Sequence, residues 1–271
     1  MGGIRGWAMA GEGDGTTAVR GGLLVDPSEP DPRRGARPAG AVASVYGAAA
    51  PGYPLEAVEW LVGDAASVLD LGAGTGGLTE ALVALDREVV AVDPVEEMLE
   101  ELEVRVPGVP RILGTAEDLP VEDDSVDAVV AGRAWHWFQR ERAVPEIARV
   151  LRRGGVLGFA WNRRDTSPDW LVAAGEIMHE QPDPSSSDPS VRIGGPFGPV
   201  EAHRVEWVRR MSRATFLDLV RSRRGWLTAP PGEQRTVLAA VETLLVTHPD
   251  VAGADELSVP YVTDCFRAIR R

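Results

Sequence analysis

The segment Ser67–Gly77 constrains the fold of this 271-residue chain more than any other stretch. It reads Ser-Val-Leu-Asp-Leu-Gly-Ala-Gly-Thr-Gly-Gly: a short apolar run, typical of a buried parallel strand, followed at once by glycines. A helical pattern begins at Leu78. A strand, a glycine turn and a helix bring backbone N–H groups close to a ligand, and Asp70 adds a carboxylate at the end of the strand. The segment therefore predicts a ligand-binding turn at the edge of a parallel sheet.

Four further strand-like segments alternate with helical patterns after this turn. They are Glu88–Val92, Arg111–Gly114, Ser125–Ala131 and Val156–Trp161. The helix before the last of these strands is expected to end at Gly154 and Gly155, because glycine is the preferred residue just past a helix. Five strands that alternate with helices predict an α/β fold with an open, doubly wound parallel sheet.

The two ends of the chain differ from this alternating region. Residues 1–40 are rich in Gly, Pro, Asp and Arg and have no regular period, which predicts a disordered tail. Residues 41–271 are expected to form one domain, in which residues 165–200 are an insertion on the substrate side. Two later strands are predicted at Glu201–Met211 and Val259–Ile269, with helices at Trp170–His179, Arg213–Arg223 and Gly232–Thr247.

Composition excludes several classes of function. The formal net charge of −13 opposes binding to a phosphate backbone, so we expect no nucleic-acid partner. Cys265 is the only cysteine and the four histidines are scattered, so neither a disulfide within the chain nor a metal site is expected. No apolar run approaches the ~18 residues that cross a bilayer, and no secretory signal pattern is present. We expect a cytoplasmic protein without a membrane partner; the oligomeric state stays open.

Asp93 is the second carboxylate at a predicted strand end, and it lies 17 residues beyond Gly76. A carboxylate at this position can accept hydrogen bonds from both hydroxyls of a ribose. Asp is also a good helix cap, and Pro94 would suit the first position of the next helix. The two roles are compatible, so the sequence predicts a nucleoside site and leaves the capping role open.

The glycines alone do not identify the nucleoside. Gly72, Gly74 and Gly77 fit the pattern G-x-G-x-x-G, which would indicate NAD. However, Asp70 would repel a pyrophosphate at the same turn, whereas it would attract the ammonium and sulfonium cations of S-adenosylmethionine. The two carboxylates therefore favour S-adenosylmethionine.

These segments resemble the class I S-adenosylmethionine-dependent methyltransferases, in the small-molecule branch called methyltransferase type 11. The resemblance runs through Val68–Gly76, Asp93, Gly114–Pro120, Ala134–Phe138 and Arg149–Gly155. It implies a Rossmann-like doubly wound sheet of seven strands, mostly parallel, with an antiparallel last strand. It also implies methyl transfer from S-adenosylmethionine to a small-molecule acceptor by in-line displacement.

The strand ends and the resemblance together predict a cofactor site. Its residues are Asp70, Gly72, Ala73, Gly74, Asp93, Pro94, Met98, Thr115, Ala116, Glu117, Gly132 and Tyr46. Tyr46 is expected either over the cofactor, as part of a lid, or in the core. His136 lies in the exit loop of the fourth strand and is the candidate general base, with packing or orientation of the acceptor as the alternative.

The chain departs from the family pattern at two positions in this site. Thr115 stands where the family often has Asp, so the contact with the adenine amino group is expected to pass to Glu117 or to the backbone. Ala50 stands where related chains often carry an arginine, which puts the role of such an arginine in closing a lid in doubt.

Two alternative functions and one structural ambiguity accompany this interpretation. The chain could be an inactive S-adenosylmethionine-binding regulatory subunit, which the intact Asp70 and Asp93 argue against, or an NAD-linked oxidoreductase. The aromatic residues near the strand ends could wall an acceptor chamber or belong to the core. They are Trp135, Trp137, Trp161 and Trp170.

Overall fold

Strand β1, Ser67–Leu71, lies inside the sheet with all of its residues buried. The computed structural model describes residues 51–180 and 193–271, so Tyr46, the predicted tail and part of the predicted insertion lie outside the described residues. The other strands are β2 (Glu88–Asp93), β3 (Arg111–Leu113), β4 (Val126–Gly132), β5 (Leu151–Arg164), β6 (Glu201–Met211) and β7 (Leu257–Ile269). The helices are α1 (Leu55–Val62), α2 (Gly77–Ala84), α3 (Glu96–Arg105), α4 (Arg140–Val150), α5 (Asp169–Ile177), α6 (Arg213–Arg221), α7 (Arg224–Thr228) and α8 (Pro231–Thr247).

The strands form one seven-stranded sheet in the order β3-β2-β1-β4-β5-β7-β6. Strands β1 to β5 run parallel to one another, whereas β7 runs antiparallel to both β5 and β6. The predicted fold class is therefore confirmed, including the antiparallel last strand. The predicted sixth strand is also found with the expected bounds.

The strand order reverses between β1 and β4, and this reversal positions the site. From β1 the chain proceeds outward to β2 and β3 on one side, then returns to add β4 on the other side. Ligands in open α/β sheets bind in the crevice beyond the carboxyl ends of the strands at such a reversal. Asp70 is level with Ala91 on β2 and Val130 on β4, so the residues that follow these strands meet at one edge.

Hydrophobic clusters cover both faces of the sheet. Successive side chains of a strand point to opposite faces, so a single strand can contribute to both clusters. In β1, Leu69 and Leu71 contribute to a cluster that contains α4, whereas Val68 packs with residues of α1, α2 and α3. A third cluster joins α5, α6 and α8 with β7. The helix of the predicted insertion therefore packs against the C-terminal helices.

The predicted end of helix α4 was wrong. The helix ends at Val150, and β5 begins at Leu151, so the two glycines lie inside the strand. Leu151 is buried and pairs with Val126, and the pairing shifts register before Val156 pairs with Ala128. Gly154 has φ +80° at this irregularity. The glycines therefore allow the irregular strand pairing and do not end a helix.

Candidate active site

A cavity of about 280 Å³ opens at the carboxyl ends of β1, β2, β3 and β4. All of the described residues in the predicted cofactor set line it, so the structure brings together segments that are far apart in the sequence. Further lining residues are Pro51, Tyr53, Leu71, Thr75, Gly77, Leu78, Val95, Gly114, Arg133, Ala134, Trp137 and Phe138. The site that the strand ends predicted is thus one continuous cavity.

The glycine turn after β1 is fixed to the neighbouring strand. The backbone N–H groups of Gly72 and Ala73 both donate to the carbonyl of Val92, at 2.8 and 3.0 Å. Gly72 and Gly74 have φ of +69° and +55°, in the left-handed region where a side chain is strained. A Cβ built on Gly74 meets no atom within 4 Å, whereas one built on Gly72 would lie 2.5 Å from the Cβ of Ala134. Gly74 therefore leaves open space that a ligand can use, and Gly72 allows close packing.

Asp93 holds this turn from the adjacent strand. One carboxylate oxygen accepts a hydrogen bond from the N–H of Gly74 at 2.8 Å, and the other accepts from the N–H of Val95 at 2.9 Å. Helix α3 begins at Glu96 after Val95, so the capping role that the sequence left open for Asp93, with Pro94 in the first turn, is not found. Each oxygen of Asp93 retains a second acceptor position, and the residue lines the cavity. The carboxylate therefore fixes the turn and can still bind hydroxyl groups.

Asp70 is fully buried, and one of its two oxygens lacks a partner. Its Oδ2 accepts a hydrogen bond from the hydroxyl of Thr79 at 2.6 Å, whereas Oδ1 has no hydrogen-bond partner in the described part of the chain. Burial raises the pKa of Asp70 to about 7; the bond from Thr79 opposes this rise, and the nearby Asp93 adds to it. Burial also raises the pKa of Asp93, against its two backbone hydrogen bonds. A buried carboxylate oxygen without a hydrogen-bond partner, next to a cavity, can bind a cationic group of a ligand.

The segment after β3 forms the opposite end of the cavity. Thr115, Ala116 and Glu117 line it together with Met98 from α3. One carboxylate oxygen of Glu117 accepts a hydrogen bond from the backbone N–H of Gln139 at 2.8 Å. Glu117 therefore ties this loop to the segment that follows β4, and both loops border the cavity.

The exit of β4 adds Arg133 and Phe138 to two lining residues that the sequence analysis named, Gly132 for the cofactor and Trp137 for an acceptor chamber. A Cβ on Gly132 would lie 2.6 Å from the hydroxyl of Tyr53, so Gly132 gives this tyrosine room. Arg133 follows with φ +56°, an uncommon conformation for a residue other than glycine. Trp137 and Phe138 line the cavity beyond it. Tyr53 and Arg133 are not among the residues that the sequence predicted for the site.

His136 lies next to the cavity wall but is not among the residues that line it. Its side chain is exposed, and its ring lies 4.5 Å from that of Trp137. Its role as a general base stays a prediction. Of the four tryptophans considered for an acceptor chamber, Trp137 alone lines the cavity. The others are buried in hydrophobic clusters: Trp135, Trp161 and Trp170.

Two classes of site are absent from the part of the chain that the structure describes. Within residues 51–180 and 193–271, no group of three or more His, Cys, Asp or Glu residues is arranged to hold a metal ion. In the same ranges, no helix has the length and apolar character needed to cross a membrane.

Comparisons with known proteins bear on the same segments. A family model described as a methyltransferase domain matches residues 69–159, from β1 to β5. An uncharacterized methyltransferase of Mycobacterium tuberculosis is 46% identical over 230 residues, which cover 84% of this chain and 94% of that protein. An uncharacterized methyltransferase-like protein of Schizosaccharomyces pombe is 32% identical over 82% of this chain and 91% of its own length. A solved structure described as a type II methyltransferase from Anaeromyxobacter dehalogenans has a TM-score of 0.62 and 26% identity, with coverage of 82% and 97%.

Proposed function

The chain belongs to the class I S-adenosylmethionine-dependent methyltransferases, and we propose that it transfers a methyl group from S-adenosylmethionine to a small-molecule acceptor by in-line displacement. The unpaired Oδ1 of Asp70, buried at a cavity beside a glycine turn, is the observation that carries the choice of cofactor. An ammonium group would satisfy this oxygen, and the amino-acid part of the cofactor carries one. The open space at Gly74 would accept the chain that joins this part to the ribose.

The other lining residues support a complete footprint for this cofactor. Asp93 has one free acceptor position on each oxygen, which matches the two hydroxyls of a ribose. The side chains of Met98 and Ala116 offer apolar contact for an adenine ring, and Thr115 and Glu117 offer polar atoms at its edge. We assign the adenine to the loop after β3 and the amino-acid part to the end of β1.

The proposed acceptor is a small molecule, on grounds of charge. A net charge of −13 opposes a nucleic-acid substrate. When bound, S-adenosylmethionine supplies an electrophilic methyl group and leaves as S-adenosylhomocysteine. Because the displacement is in line, the protein contributes chiefly by holding the acceptor about 3 Å from the methyl carbon. Trp137, 49% exposed at the cavity, offers a flat apolar surface for that purpose.

Thermal denaturation with added nucleosides tests the choice of cofactor. We expect S-adenosylmethionine and S-adenosylhomocysteine each to raise Tm by several degrees at 100 times Kd, since binding then adds about 2.7 kcal/mol to the free energy of unfolding. NAD at the same concentration should leave Tm unchanged. Stabilisation by NAD alone would overturn the proposal. Transfer of an isotope-labelled methyl group to small molecules of a cell extract, followed by mass spectrometry, separates an active enzyme from an inactive binding subunit.

The pH dependence of binding tests the role of Asp70. The pKa of this carboxyl is about 7 in the protein, against about 3.9 for an ordinary Asp. Its proton therefore stabilises the unliganded protein fully below pH ~4, and this contribution is lost as the pH rises through about 7. A ligand ammonium requires the carboxylate, so S-adenosylhomocysteine should bind about tenfold more tightly at pH 8 than at pH 6.

Calorimetry at a series of pH values measures this effect. Measurements in two buffers of different ionisation enthalpy give the number of protons released on binding. This number should be close to one at pH 6 and close to zero at pH 8. Asp70→Asn should bind more weakly at pH 8 and show a flat profile. If the variant keeps the slope of the wild type, another group is responsible and Asp70 does not hold the ammonium.

A further inference from the structure

Arg133 is the single positively charged residue among the described residues that line the cavity. The charged residues that share the lining with it are all acidic: Asp70, Asp93 and Glu117. The chain contains no lysine, so every side-chain cation other than histidine in this protein is a guanidinium group. A ligand with a carboxylate would meet three like charges in this cavity and one group of opposite charge.

The backbone of Arg133 has a left-handed conformation that is uncommon for arginine. Its φ is +56°, and arginine lacks the short polar side chain that lets Asn and Asp adopt this region easily. Its N–H donates to the carbonyl of Ala160 on β5 at 2.9 Å, which fixes the point where the chain leaves β4. Strained residues that the surrounding structure fixes in this way occur preferentially at ligand sites.

The strand order shows where Arg133 lies relative to Asp70. Strands β1 and β4 are neighbours, and Asp70 pairs in register with Val130, three residues before Arg133. A Cβ on Gly72 would lie 2.5 Å from Ala134, so the exits of the two strands are in contact. The loop Thr115–Glu117 follows β3, three strands away from β4, or about 14 Å at ~4.8 Å per strand. Arg133 therefore leaves the sheet beside the strand that carries Asp70.

We propose that Arg133 binds the α-carboxylate of the cofactor, while Asp70 binds its α-ammonium. This inference rests on the proposed function. The two ligand groups are attached to one carbon atom. Asp70 lies near the end of β1, Arg133 directly follows the neighbouring strand β4, and both residues line the cavity. A guanidinium donates two parallel hydrogen bonds to a carboxylate, which fixes the orientation of the amino-acid part as well as its position. The pair would set the direction in which the sulfonium points.

Two ligands that differ by the carboxylate alone test this assignment. They are S-adenosylhomocysteine and its decarboxylated analogue, which retains the amine. For Arg133→Gln we expect calorimetry at pH 8 to show at least tenfold weaker binding of S-adenosylhomocysteine and less than a twofold change for the analogue. Arg142→Gln, an exposed residue on α4 outside the cavity, removes the same charge and should leave both affinities unchanged.

A second variant guards against loss of folding. Arg133→Gly removes the guanidinium and also relieves the strain, because glycine adopts φ +56° freely. It should show the same ligand-dependent pattern. If either folded variant binds S-adenosylhomocysteine within threefold of the wild type, or loses both ligands equally, the assignment of Arg133 is overturned. Failure of the wild type to bind S-adenosylhomocysteine would instead overturn the proposed function.

Discussion

Replacing Asp93 with alanine should weaken the binding of S-adenosylhomocysteine at least tenfold. The substitution removes the acceptor of two backbone hydrogen bonds, from Gly74 at 2.8 Å and from Val95 at 2.9 Å, in a residue that is 7% exposed. It also removes the oxygens assigned to the ribose hydroxyls. Hydrogen bonds to a charged group contribute roughly 1.5–3 kcal/mol each, so the loss of one ligand bond suffices for a tenfold effect. Calorimetry with S-adenosylhomocysteine measures the change directly.

A neighbouring acid provides the matched control for this variant. Glu96 lies at the start of α3, is exposed, and is not among the lining residues, so Glu96→Ala removes the same charge without touching the site. We expect it to bind like the wild type. Unchanged affinity in Asp93→Ala would exclude Asp93 from ligand binding. A lowered Tm with unchanged affinity would show that Asp93 serves only to anchor the glycine turn.

The sequence was sufficient to predict the site residues at the ends of the strands that alternate regularly with helices. Asp70 and Asp93 each end or nearly end a buried strand, and the ends of parallel strands meet at one edge of a sheet. Their proximity therefore follows from periodicity and strand order alone. The raised pKa of Asp70 does not, because it depends on complete burial, which only the packed structure reveals.

Tyr53 and Arg133 were missed because their positions depend on turns. Tyr53 reaches the cavity from a turn before α1, and its hydroxyl approaches Gly132, which is distant in the sequence. A short 3-10 helix at Trp135–Trp137 turns Trp135 into the core and leaves His136 exposed. The directions in which these side chains point are set by local backbone angles, and the spacing of hydrophobic residues does not predict those angles. The same limit explains why Gly154 was assigned to a helix end instead of an irregular strand.

Gly72→Ala should lower the free energy of unfolding by roughly 2–5 kcal/mol, with two separable causes. A left-handed backbone costs a residue with a Cβ about 1–2 kcal/mol, and Gly72 has φ +69°. The new Cβ would also lie 2.5 Å from the Cβ of Ala134, an atom fixed to the backbone that cannot rotate away. Relieving such overpacking costs about 1–3 kcal/mol. Urea denaturation followed by far-UV circular dichroism measures the sum.

Gly108→Ala separates the two causes, because it carries the backbone strain without the contact. Gly108 has φ +83°, and a Cβ built there meets no atom within 4 Å, so only the strain of about 1–2 kcal/mol should appear. The difference between the two variants measures the contact between Gly72 and Ala134. Since this contact joins the exits of β1 and β4, where Asp70 and Arg133 lie, only Gly72→Ala should also weaken S-adenosylhomocysteine binding. Equal destabilisation in both variants would show that the two exits can separate at no cost, and the close pairing of ammonium and carboxylate groups would lose its support.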